Sequence, residues 1–182
     1  GLTVTQMKGL DATDIGEFTA LQVGALGVSQ LAALSAENFS ALDEDQIAEL
    51  NATQIKGLTT TQLSSLSETD IGEFSATQLG ALSTTQLNAI GSTNLALLAD
   101  TQISGLSSTQ LGGLSLANLA GLTGTQVGDL TTTQIKGLTA TQLKGLSDAD
   151  IGELTTDQLS ALSATQVGSI STTALNALDG TK

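Results

Sequence analysis

Starting at Leu2, every eighth residue of this chain is Leu, Ile or Phe, through Leu10, Phe18 and Leu26 to Leu162, Ile170 and Leu178, with no insertion or deletion. Five residues after each, up to Ile170, comes a second apolar position, running from Met7, Ile15 and Val23 to Val167 and Leu175 without a polar exception. The unit reads Leu-(Ser/Thr)-x-Thr-Gln-(Ile/Leu/Val)-x-(Gly/Ala), as in Leu138-Thr-Ala-Thr-Gln-Leu-Lys-Gly145. A period this strict implies a quasi-one-dimensional architecture, in which one small unit is repeated and buries its apolar face against its neighbours.

The spacing of eight excludes one long regular element. In a continuous α-helix eight residues rotate by roughly 800°, so the apolar stripe would drift by about 80° per unit and leave no face to bury. In a continuous strand an offset of five sends the two apolar positions to opposite faces. Broken helical turns fit. With Ser83, Ser107, Thr131 or Ser163 as N-cap, the residue three further on is Gln86, Gln110, Gln134 or Gln166, which completes a capping box. The Leu before the cap and the apolar residue at the fourth helical position form a hydrophobic staple. Substitutions follow the same logic: the cap is also Asp11, Asp43 or Asn51, and Gln is replaced mainly by Asp or Asn (Asp14, Asn38, Asp70, Asn94, Asn118, Asp150). Gly or Ala late in the unit (Gly57, Gly105, Gly137, Ala161) suits a turn out of a helix C-terminus.

The expected fold is therefore an all-α solenoid of tandem eight-residue capped helical turns. Two buried aliphatic side chains cannot offset the conformational entropy of eight ordered residues unless neighbours stack. A β-solenoid is the alternative, since Thr and Ile are good strand formers, but it leaves the cap-to-Gln spacing unexplained. Residues 1–182 read as one uninterrupted array. Within it Asn51–Leu98 matches Thr131–Leu178 ten octads later, and Ile55-Lys-Gly-Leu58 recurs as Ile135-Lys-Gly-Leu138. The acidic octad Asp70-Ile-Gly-Glu-Phe74 recurs as Asp150-Ile-Gly-Glu-Leu154 and, nearer the start, as Asp14-Ile-Gly-Glu-Phe18. Duplication of multi-octad blocks accounts for these matches.

Composition narrows the function. There is no Trp, Tyr, His, Cys, Pro or Arg, and Phe occurs only at 18, 39 and 74. Such a core is thin and aliphatic. A formal charge of −13 repels phosphate backbones and anionic surfaces, which argues against nucleic-acid binding. No apolar run reaches the length of a membrane span. With neither His nor Cys, no phosphate-binding glycine loop, and near-equivalent units throughout, nothing points to an enzyme. Gly1 opens within the repeat, so the chain reads as a mature or excised piece of something longer.

Three kinds of candidate site remain. The first is calcium, a hard cation that takes clustered carboxylates, at Asp43, Glu44, Asp45, Asp70, Glu73, Asp150 and Glu153. No EF-hand loop or glycine-rich calcium nonapeptide is present, and several of these residues equally suit cap positions. The second is the Thr column Thr53, Thr61, Thr69, Thr77, Thr85 and Thr93. Stacked flat, it could bind ice or a glycan, or carry O-linked sugars; otherwise its hydroxyls serve as caps. The third is a pair of N-glycosylation sequons, Asn38-Phe-Ser40 and Asn51-Ala-Thr53. Lys8 and Lys144 are expected to reach Glu17 and Glu153 in the next octad, in weak exposed pairs.

The octad, as in Leu82-Ser-Thr-Thr-Gln-Leu-Asn-Ala89, resembles the tandem repeats of very large bacterial secreted and cell-surface proteins of the adhesin type. The resemblance covers the whole chain and implies an extracellular or cell-surface location and a structural role. It carries no implied cofactor. The expected function is an extracellular filament formed by end-to-end stacking of the chain on itself. The alternatives are a stalk or spacer in a large adhesin, or a repeat surface for ice, glycan or calcium.

Overall fold

The computed structural model of the chain describes residues 1–178, and of Ala177 only the backbone. Among the described residues every regular element is a helix of four to seven residues, 22 in succession from Val4–Met7 to Thr172–Ala177, and there is no strand. The chain is an all-α solenoid, and the β-solenoid is excluded.

Local chemistry accounts for each helix. The residue after each Leu is extended, and its side chain accepts from the backbone of the third helical residue. Ser107 Oγ accepts from Gln110 N (3.2 Å), while Gln110 Oε1 accepts from Ser107 N (2.8 Å). This reciprocal pair satisfies two of the orphan donors at the helix N-terminus. It recurs with Thr139 and Gln142, Ser163 and Gln166, and most other octads. At Gly27 and Ala99 there is no side chain to cap, and only the Gln half remains: Gln30 and Gln102 accept from the N–H groups of Gly27 and Ala99.

Both apolar columns are buried. Side chains at the fourth helical position, such as Ile55, Leu63, Leu79, Leu87 and Leu111, are wholly inaccessible, and the leading apolar residues are buried from Leu34 through Ile170. Together they form one continuous core along the array.

The path closes after more than three and fewer than four octads. Helices three octads apart pack together, as Thr60–Ser64 does on Thr84–Ile90. A Cβ placed on Gly105 would meet Ala76, 29 residues earlier, and one placed on Gly80 would meet Gly105, 25 residues later. Side-chain hydrogen bonds between coils span 28 to 31 residues. Because the turn is not a whole number of octads, each corner lies against a helix of the next coil rather than against another corner.

The late glycines are not left-handed helix caps. Gly57, Gly105 and Gly113 have φ of −86°, −74° and −94°, values that any residue adopts. Glycine is there because the coil before approaches closely, through the side chains of Val28 and Thr84 at Gly57 and Gly113 and through the Ala76 backbone at Gly105. Gly137 lies on the first turn of Ser108–Gly112, and a Cβ there would fall 2.6 Å from Ser108 Cβ.

Gly91 is the one described residue with positive φ (+84°). It stands where other octads carry the Ser/Thr cap, after a helix that runs on through Thr84–Ile90. Restoring the repeat with Gly91→Ser is expected to lower stability by about 1 kcal/mol, because a Cβ is strained in that region although open space surrounds it. A denaturant midpoint measures this; an increase would contradict it.

Candidate functional site

The third helical residue is the side chain on which the array turns. Its amide oxygen completes the capping box of its own helix, and its amide nitrogen points into the coil before. Gln62 Nε2 donates to Leu31 O (2.8 Å) and Leu34 O (3.1 Å), 31 and 28 residues back. Gln134 donates to Ile103 O (2.9 Å) and Leu106 O (2.8 Å), and Gln142 to Leu111 O (2.8 Å) and Leu114 O (2.9 Å). Leu34 O, Leu106 O and Leu114 O are corner carbonyls just past a helix end, while Leu31 O, Ile103 O and Leu111 O lie near the helix C-terminus and also accept the backbone N–H three residues on. One side chain thus closes a helix N-terminus in its own coil and a C-terminus in the coil before. The amide is buried in the process: Gln62 is 1% exposed and Gln46, Gln126 and Gln158 are 2% exposed. A primary amide has both the donors and the acceptor this requires; a carboxylate has no donor. The ladder runs from Gln30, which bonds Leu2 O, to Gln166, which bonds Leu138 O.

Substitutions in the ladder split by chemistry. Asp14, Asp70 and Asp150 keep the capping box and give up the amide donor to the coil before. At Asp70 a donor comes from the other side, where Ser40 Oγ bonds its carboxylate. Asp150 has Ala120, without a hydroxyl, at the position 30 residues earlier, and accepts only from Ser147 N (3.1 Å) and Ser147 Oγ (2.7 Å) among the described residues. Asn38, Asn94 and Asn118 do the reverse. Their shorter side chains cannot span both partners, and they drop the box. Asn38 and Asn94 donate to Leu10 O (2.6 Å) and Leu66 O (2.8 Å). Asn118 bonds Asn88 instead, because the carbonyl 28 residues back belongs to the extended helix ending at Ile90.

This arrangement settles where the other candidates lie. The sequon residue Asn38 is buried, with its nitrogen on Leu10 O, so a folded chain does not present it to a glycosyltransferase. Asn51 is exposed, but its oxygen caps a helix through Thr53 N and Gln54 N (2.9 and 3.2 Å). Thr53, Thr61, Thr69, Thr77, Thr85 and Thr93 are all exposed and lie one position past the start of each helix, so they are not the caps. Successive members occupy successive helices around a coil, and no single flat face collects them. Lys8 and Lys144 do not pair with Glu17 and Glu153, for the next octad lies around a corner. Glu153 instead rests on Gly124 and Gly128, three octads back.

The acidic candidates divide into two places. Asp43 is an N-cap that accepts from Gln46 N (2.9 Å), and Asp45 is exposed in the first turn after it. Asp150 is a box residue, and Glu153 is exposed. Glu44 and Glu73 line a shallow cleft of about 500 Å³ with Phe74, Gln78 and Gln102. Glu49 and Glu153 each lie over a glycine three octads back, Gly24 and Gly128, whereas the counterpart position below Glu73 is Ala48. One Glu73 carboxylate oxygen is buried without a hydrogen-bond partner. Burial raises the Glu73 pKa above the ordinary carboxylate value, and the charges of Asp70, Asp43 and Glu44 raise it further. Among the described residues no three acidic side chains converge on a point that could hold a metal ion.

Because the folded state holds the Glu73 proton more tightly than the unfolded chain does, Glu73 costs stability as pH rises through the unfolded carboxylate range toward its raised folded value. Glu73→Gln is therefore expected to stabilise the fold at pH 7 and to be neutral in mild acid. The gain stays below about 1 kcal/mol because solvent reaches most of the group. Equal midpoints for the two proteins at both pH values would contradict this.

No helix among the described residues is long and apolar enough to cross a membrane. Compared with protein-family models and with curated proteins, the chain matches none, so its function has to be argued from the ladder itself.

Proposed function

We propose that the chain is a structural protein of the bacterial cell exterior whose octads stack into a filament or fibre. The observation that carries this is the sameness of the contact between coils. Each coil directs Gln amide donors toward the coil before and offers corner carbonyls to the coil after. Such a contact is heterologous and does not close on itself, and heterologous contacts that do not close generate open filaments. The exterior location follows from the resemblance of the octad to bacterial surface repeats. The same rod held within a longer adhesin would act as a passive spacer.

Electron microscopy of the purified chain at high protein concentration tests the proposal. Uniform filaments many chain lengths long are expected. With a net charge of −13 they should form more readily as salt screens the repulsion between copies. Separate rods, each one chain long at every salt concentration, would overturn the filament in favour of the spacer.

A further inference from the structure

We infer that Asn51 is an acceptor for an N-linked sugar in the folded chain, whereas Asn38, in the same kind of sequon, is not. Such a site rests on the exterior location proposed above, since N-linked sugars mark the surface of secreted proteins.

Both sequons have the Asn-x-(Ser/Thr) spacing that the modification requires, and the fold treats them oppositely. At the first, Asn38 is 6% exposed and Phe39 1%. Asn38 Nδ2 donates to Leu10 O (2.6 Å), and the Ser40 hydroxyl donates to the Asp70 carboxylate. Neither group reaches an enzyme unless the contact between coils opens. At the second, Asn51, Ala52 and Thr53 are all exposed. Neither Asn51 Nδ2 nor the Thr53 hydroxyl has a hydrogen-bond partner among the described residues.

The cap holds the acceptor without occupying it. Asn51 Oδ1 accepts from Thr53 N (2.9 Å) and Gln54 N (3.2 Å), which fixes the amide on the helix start and leaves its nitrogen unbonded. Asn51 is the one Asn at a cap position in the array. The other capping side chains are Ser, Thr and Asp, which have no amide nitrogen to modify. Transfer forms a bond from Nδ2 to the anomeric carbon of a sugar activated as a pyrophosphate ester, while the bond from that carbon to the pyrophosphate oxygen breaks. The pyrophosphate leaves with the electron pair, and one Nδ2 proton passes to a base of the transferase. The product is a secondary amide with its carbonyl intact, so both cap bonds survive. At Asn38 the same step would displace Leu10 O and break a link between coils. Beside Asn51 an open groove of about 220 Å³, lined by the small side chains of Ala48, Ala52, Ser75 and Thr77, gives the first sugar a surface to lie along.

The test uses a purified oligosaccharyltransferase that reads Asn-x-(Ser/Thr), with a lipid-pyrophosphate oligosaccharide as donor. It is offered the folded 182-residue chain and, separately, the unfolded tryptic peptide 9–56, which carries both sequons. Mass spectrometry reads the occupancy of each site. In the peptide both Asn38 and Asn51 should be modified. In the folded chain the occupancy of Asn51 should exceed that of Asn38 by about tenfold or more, because Asn38 is reached only through local opening. The modified chain should keep the denaturant midpoint of the unmodified one. Thr53→Ala retains the backbone donor to the cap and should abolish modification of Asn51 with the circular dichroism unchanged. An unmodified Asn51 in the folded chain overturns the inference whatever the peptide does. Equal occupancy of the two sites in the folded chain, or a lowered midpoint after modification, overturns it as well. Each of these results leaves the filament standing, because the assay uses dilute chain and a supplied donor.

Discussion

Replacing one interior Gln with Glu is expected to destabilise the array more than most losses of a core methyl group. Gln110 illustrates why. Its nitrogen lies 2.7 Å from Leu82 O, 3.1 Å from Leu79 O and 3.2 Å from Gly80 O, at 6% exposure. In Gln110→Glu the capping box with Ser107 survives, so local helix propensity barely changes. What changes is that a buried carboxylate oxygen faces three carbonyl oxygens with no proton between them. An unsatisfied buried charge of this kind costs about 3 kcal/mol or more. The loss should be largely recovered in acid, because a protonated Glu again has a donor to offer. Chemical denaturation of Gln110→Glu at pH 7 and in mild acid measures both parts. A pH-independent loss below about 0.5 kcal/mol, the size of an ordinary surface substitution, would show that the rung is incidental.

The second large effect concerns glycine. In Gly137→Ala the new Cβ would collide with the Ser108 backbone oxygen and lie 2.7 Å from the Ser108 carbonyl carbon. Neither atom can swing aside, because both belong to the backbone of the coil before. The coils must separate locally, which strains the packing of Leu111 and Ile135 on either side and costs about 1–3 kcal/mol. Gly16→Ala is the matched control. Gly16 also ends a short helix, yet nothing lies within 4 Å of a Cβ built there. That substitution should stabilise by about 0.5–1 kcal/mol, the ordinary advantage of Ala over Gly in a helix. If the two substitutions had equal effects, close approach of the coils would not be the reason for Gly137.

These two cases mark what the sequence discloses and what it withholds. The caps, the boxes and the two apolar columns depend on contacts within one octad, so a period of eight with Ser/Thr three residues before Gln is enough to read them. The second bond of each Gln reaches 28 residues or more away, and nothing local distinguishes an amide that only caps from one that also joins coils. The signal was present in the choice of residue. Glu is at least as good as Gln in a capping box, yet no octad has Glu at that position. Asp and Asn look interchangeable in the repeat, but the structure separates them: Asp14 keeps the box and Asn38 keeps the donor to the coil before. The number of octads in a coil was equally out of reach, since it depends on how helices three octads apart fit together. With it went the direction in which Thr53, Thr61 and Thr69 point. The crowding of Glu73 also follows from that closure, which sets it above Glu44 and Ala48 rather than above a glycine.

The ladder is the centre of this account, because it joins the coils of one chain and supplies the contact proposed between chains. Hydrogen exchange of the Gln side-chain amides, followed by nuclear magnetic resonance in dilute and in assembled protein, tests it most directly. In dilute protein the amides of Gln62, Gln110, Gln134 and Gln142 should exchange far more slowly than those of a free side chain, whereas those of Gln6 and Gln22, whose nitrogens bond nothing among the described residues, should exchange freely. If all of these amides exchanged at the rate of a free side chain, the coils would not be joined by this ladder.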